Sequence, residues 1–255
     1  MAYASQVLDR AKILLQKQLI DLFPTSQRGG VQVHSEVRLG YASEVINAFA
    51  SGEEFDLIVM ATHGRNAVMR GILGSVADKV LRTSTVPVLL VKPEAEGPED
   101  RLPSFNSANI LMPIDGSVQS EAALPYVEAL ASALGSKVTV LRVIDTGDPN
   151  RGLLEDRAEG VYPEIQERAA NDAGAIVSLL REKGVVASAK IAKGSPADSV
   201  IEVANETDAD LIVLSPKGLS GLARVWLGSV TETAVRTSHR PVFVVPPPFV
   251  PVDSS

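Results

Sequence analysis

Asp56-Leu57-Ile58-Val59-Met60-Ala61-Thr62-His63-Gly64 opens a stretch that runs to Val91 and recurs without a gap 154 residues later, from Asp210 to Val245, with 16 of 36 positions identical. The second copy opens Asp210-Leu211-Ile212-Val213-Leu214-Ser215-Pro216-Lys217-Gly218. In each copy a short apolar run reads as a buried strand and leads through a loop to Leu73-Gly74-Ser75-Val76 or Leu227-Gly228-Ser229-Val230, where a helical pattern begins. Strand, glycine loop and helix start are the parts of a phosphate cradle, because the first N–H groups of a helix lack intrahelical acceptors and sit at its positive end. The chain is one domain written twice.

Working outward, the second copy alternates throughout. Strands are expected at 110–114, 138–143, 185–191, 211–214 and 242–245, with helices near 119–134, 163–183, 196–207 and 229–238. Such alternation predicts a parallel sheet covered on both faces, with ligands at the carboxyl ends of its strands. The first copy is shorter at its front, since subtracting the repeat offset from Ile110 gives a position before Met1. It is expected to begin at the domain's second helix (5–22), followed by a strand over 31–37, a helix over 42–50, a strand over 57–60, a helix over 75–84 and a strand over 88–91. The predicted architecture is therefore α/β, two doubly wound, Rossmann-like parallel-sheet domains in tandem. Residues 1–92 form a domain lacking its first two strands, 93–108 an acidic, proline-punctuated linker, 109–246 a complete domain, and 247–255 an irregular tail.

Composition narrows the function. The chain has 255 residues, 24 Lys and Arg against 31 Asp and Glu, and a net charge of −7, which disfavours a nucleic-acid surface. It has no cysteine, which removes disulfides, thiolate metal sites and cysteine catalysis. No apolar run reaches the roughly 20 residues of a membrane span, and Asp9, Arg10, Lys12 and Lys17 interrupt the N-terminal apolar positions. A cytoplasmic location is expected. Small molecules and protein partners remain as ligands.

After the fourth strand the copies read Ala61-Thr62-His63-Gly64, nine residues, Gly74-Ser75, and Ser215-Pro216-Lys217-Gly218, nine residues, Gly228-Ser229. This resembles the universal stress protein family, whose ATP-binding members carry Gly-x-x-Gly, nine residues, then Gly-Ser or Gly-Thr. The resemblance extends to Ile110-Leu111-Met112-Pro113-Ile114-Asp115-Gly116-Ser117, to Gly194-Ser195-Pro196, and to the closing Pro87-Val88 and Pro241-Val242. It implies strand order 3-2-1-4-5 and a stress-response or signalling module that binds ATP, with Mg as its companion and at most slow hydrolysis. A non-binding interaction scaffold is the alternative. It also implies that Asp115 meets the adenine or ribose edge, with Val143 as a backbone contact beside it. The strand end Leu214-Ser215, Lys217, Gly218, Gly228, Ser229 and Val230 then complete the second-copy site. Ala61, His63, Gly64, Gly74 and Ser75 are their first-copy counterparts. Ala61 and Ser215 stand where the family has its first motif glycine, so a Cβ faces the ligand in both copies.

The motif glycines are expected to adopt positive φ and to let backbone approach phosphate. Two readings stand for Ser75 and Ser229: phosphate contact, or the first residue of a capping box with Asp78 and Glu232. Asp115 is likewise either a ligand contact or the N-cap of the helix beginning near Gln119. Val88-Leu89-Leu90-Val91 and Val242-Phe243-Val244-Val245, each introduced by proline, read as apolar edge strands. The resemblance implies that they pair as an internal pseudo-dimer, with a homodimer as a further possibility.

Overall fold

A computed structural model of the chain describes residues 34–52, 55–62, 73–92, 108–146, 161–216 and 227–246. The first copy supplies α1 (Ala42–Gly52), β1 (Ile58–Ala61), α2 (Ser75–Thr83) and β2 (Val88–Val91). The second supplies β3 (Asn109–Ile114), α3 (Val118–Glu121), α4 (Leu124–Leu134), β4 (Lys137–Asp145), α5 (Val161–Glu182), β5 (Val186–Gly194), α6 (Pro196–Glu206), β6 (Leu211–Leu214), α7 (Ser229–Thr237) and β7 (Val242–Val244).

All the strands join one seven-stranded sheet in the order β1-β2-β7-β6-β3-β4-β5. Within the second copy this is the 3-2-1-4-5 order, and every pair in it is parallel, as helical crossovers between strands require. The fifth strands β2 and β7 pair antiparallel, Leu89 opposite Phe243, so two apolar edges satisfy each other's backbone groups. Lys92 reinforces this seam by donating from Nζ to the carbonyl of Arg236 in the last turn of α7 at 2.8 Å, and burial lowers its pKa.

Two apolar cores flank the sheet. One runs through both copies, joining Ala50 of α1, Ala77, Val80 and Leu81 of α2, Val200 and Val203 of α6, and Ala234 and Val235 of α7 to the strand residues Ile58, Val88, Leu90, Ile212 and Val244. The other belongs to the second copy, where Val127 and Ala131 of α4 and Ala173, Ile176 and Leu180 of α5 cover Ile110, Met112, Val138, Val140, Leu211 and Val213. Leu57, just before β1, and Val59 on it occupy the places equivalent to Leu211 and Val213 and are exposed.

Three expectations need correction. Residues 34–37 form no strand, although 31–37 has a strand-like sequence. In the second copy the equivalent β5 hydrogen-bonds to β4 along its length, and among the described residues the first copy offers no such neighbour to complete a ladder. The single helix over 119–134 is two helices, because Pro125 sits in the first turn of α4, where its missing N–H is tolerated only at a helix start. The remaining segment boundaries shift by up to three residues, β5 running on to Gly194. The helix over 5–22, residues 31–33, the bulk of the linker and the tail lie outside the described residues.

Candidate functional site

The sheet order sets β3 between β4 and β6, so Asp115, Val143 and Ser215 come to the carboxyl edge of three neighbouring strands. Leu227 is buried in the shared core and anchors the chain just before α7. The same device operates in the first copy, where Leu73 is buried and the Gly74 N–H donates to the Thr62 carbonyl at 2.7 Å, tying the start of α2 to the end of β1.

Asp115 is not a helix cap. Its Oδ1 accepts from the Ser117 N–H at 2.9 Å and from the Ser117 hydroxyl, and Ser117 in turn caps α3 by accepting from the Ser120 N–H. The acid thus fixes the turn in which it stands, and Gly116 completes that turn with φ +77°. A Cβ on Gly116 would lie 2.6 Å from Asp172 Oδ2 of α5, so glycine is favoured by its left-handed conformation, and any larger residue would also displace the Asp172 carboxylate.

Beside this turn lies a group that the sequence motifs do not point to. Arg142 of β4 donates from Nη1 to the Val143 carbonyl at 2.7 Å, and its Nε faces Asp172 Oδ2 at 3.4 Å. Val143 itself is buried. The backbone of Val143, a ligand contact by resemblance, therefore already accepts one hydrogen bond at its carbonyl. The one sequence signal for Arg142 is a charge inside the run Val138-Thr139-Val140-Leu141-Arg142-Val143-Ile144.

Both helix starts depart from expectation. Gly74 (φ −61°) and Gly228 (φ −59°) are the N-caps, in extended backbone open to any residue, so neither motif glycine adopts positive φ. Neither cap makes a side-chain hydrogen bond. Ser75 and Ser229 are the first helical residues, and both are exposed. The capping boxes are not formed: Asp78 pairs with Arg82 at 2.9 Å and Glu232 with Arg236 at 3.0 Å, each turned down its own helix. Leu214 is buried at the end of β6, and Val230 packs partly against the shared core. Ser215 Oγ is buried without a hydrogen-bond partner among the described residues. Ala61, its counterpart, is exposed. His63, Gly64, Lys217 and Gly218 lie outside the described residues. No group of three or more His, Asp or Glu among the described residues could hold a metal ion, and no described helix is long and apolar enough to cross a membrane.

A parallel sheet of this order, with a loop-bound acid and glycine-started helices at its strand ends, defines a doubly wound α/β protein of the kind that gathers ligands at a carboxyl edge. The universal stress protein family matches residues 2–92 and 107–246, nearly the whole chain, and the chain belongs to that family of stress-response proteins. It is 30% identical over 223 residues to a universal stress protein of Mycolicibacterium smegmatis, across 86% of this chain and 70% of that one. It is 33% identical over 143 residues to universal stress protein MJ0531 of Methanocaldococcus jannaschii, across 54% of this chain and 82% of that one. The solved structure of a universal stress protein from Archaeoglobus fulgidus matches 96% of this chain and 79% of that one with TM-score 0.61 at 20% identity, a likeness of fold.

Proposed function

We propose that the second copy is an adenine-nucleotide-binding stress-response module, with ATP lying across the carboxyl ends of β4, β3 and β6. The observation that carries this reading is the buried, unpartnered Ser215 Oγ beside a helix whose first N–H groups no cap side chain meets. A buried hydroxyl without a partner costs about 1–3 kcal/mol, and a phosphate or ribose oxygen would relieve that cost while the helix start supplies donors of the right sign. Ser215, Gly228 and Ser229 would hold the phosphate end, with Lys217 and Gly218 on the intervening loop. Asp115 and Val143 would address the ribose and base. Any Mg would come with the phosphates, whose oxygens and water suit its octahedral shell. In the first copy Ala61 stands in place of Ser215 and has no hydroxyl, so Gly74 and Ser75 would hold anions weakly.

A scaffold that binds no nucleotide is the second reading. It is favoured by two engagements at the base end, Arg142 on the Val143 carbonyl and Ser117 on Asp115.

Titration calorimetry with ATP on the wild type, Gly228→Val and Gly74→Val separates the two. Because Gly228 has ordinary extended dihedrals, valine fits the backbone, and a loss of binding reports on the ligand's space. Binding is expected in the wild type, absent in Gly228→Val and kept in Gly74→Val. A wild type that neither binds ATP nor co-purifies with nucleotide supports the scaffold.

A further inference from the structure

We propose that Arg142 sets the base specificity of the nucleotide site. Its guanidinium and the Val143 carbonyl stand side by side as donor and acceptor, so the site takes purine nucleotides with either an amino or a keto group at the six-position. The inference rests on the reading of the second copy as a nucleotide site.

Arg142 reaches this place because two strands part there. The Lys137 N–H donates to the Ala108 carbonyl at 2.8 Å, so odd-numbered residues of β4 turn their backbone groups towards β3. The β3–β4 register ends with Ile114 opposite Arg142, and the chain then turns away at Gly116. The Val143 carbonyl is left facing the gap beyond β3, and Arg142 Nη1 supplies its donor at 2.7 Å. This puts the guanidinium at the carboxyl edge of the sheet, where ligands gather in such folds.

Asp172 of α5 holds it there. Arg142 Nε donates to Asp172 Oδ2 at 3.4 Å, and the same carboxylate lies against Gly116. The pair is only partly buried, with 22% and 26% of the two side chains exposed, so the charge is balanced while the head remains within reach of a ligand. Nη2 makes no hydrogen bond among the described residues.

Two base edges can use this arrangement. A carbonyl has two acceptor lone pairs, and Arg142 takes one of those at Val143. A six-amino purine donates to the other, but crowds Nη1 in doing so. A six-keto purine brings an oxygen that the carbonyl repels and the guanidinium attracts. Each base finds one complementary group and one competitor, so their affinities converge. Without the guanidinium the carbonyl alone would choose, and it favours the amino group, because a keto oxygen there is left unpaired.

Titration calorimetry on the full chain with ATP and inosine triphosphate, which differ at the six-position, tests this. The wild type is expected to bind the two within about tenfold of each other. Arg142→Met keeps the apolar stem and removes the donors. It should tighten ATP about fivefold and weaken inosine triphosphate about tenfold, opposite shifts that a merely structural role would not give. Asp172→Asn loosens the guanidinium and should weaken inosine triphosphate alone, about threefold. Cooperative unfolding and an unaltered far-UV spectrum show that the variants are folded. The proposal is overturned, with nucleotide binding intact, by a wild type that prefers ATP by more than about 100-fold or by variants that shift both ligands together. A wild type that binds neither ligand overturns the nucleotide reading and this proposal with it.

Discussion

Gly116 shows how much one residue can be asked to do. Its left-handed backbone strains any other residue and a Cβ there would push the Asp172 carboxylate aside, so Gly116→Ala should cost about 2 kcal/mol in denaturant unfolding. Adding Asp172→Ala should recover only the steric share, and complete recovery would mean that the backbone is not strained. Arg142 invites a different test. If the Val143 carbonyl receives the base, Arg142→Ala frees it and should tighten ATP by about 1 kcal/mol, roughly fivefold. Weaker binding would instead make Arg142 a ligand contact. This cluster was scarcely legible in the sequence, because Gly116, Arg142 and Asp172 are joined by tertiary packing, with only a charge in an apolar strand to hint at it. The serines mislead in another way. Ser229-x-x-Glu232 fits a capping box, but Gly228 takes the N-cap, which moves Ser229 into the first helical position and leaves Glu232 to pair with Arg236.

At the scale of elements, the periodicities were a sound guide wherever a partner exists. The strand-helix alternation of the second copy and the apolar fifth strands appear as read, because each strand has a neighbour to complete its ladder. Residues 34–37 have strand composition but no strand neighbour among the described residues and form none, since backbone pairing and not propensity makes a strand. The same reasoning sets β1 apart from β6. Leu211→Ala should cost about 3 kcal/mol, whereas Leu57→Ala in dilute solution should cost less than about 1 kcal/mol. Hydrogen exchange should show weaker protection over residues 57–60 than over 211–214 in a monomeric sample. Equal costs and equal protection would mean that β1 is covered as well as its counterpart.

For the molecule as a whole, the core on the α1, α2, α6 and α7 side draws residues from both copies without interruption. Denaturant unfolding should therefore be one cooperative transition, with the near-UV and far-UV circular dichroism signals changing together. Two separated transitions would show that the copies fold independently despite the shared sheet.

The antiparallel seam also decides which way the repeats point. β1 runs with β2 and β6 runs with β7, while β2 and β7 run against each other. The strand end at Ala61 and the strand end at Leu214 thus look out from opposite poles of the sheet. A ligand held at the carboxyl end of β6, as proposed above, would therefore face away from the end of β1, and no small molecule spans the length of the strands to touch both.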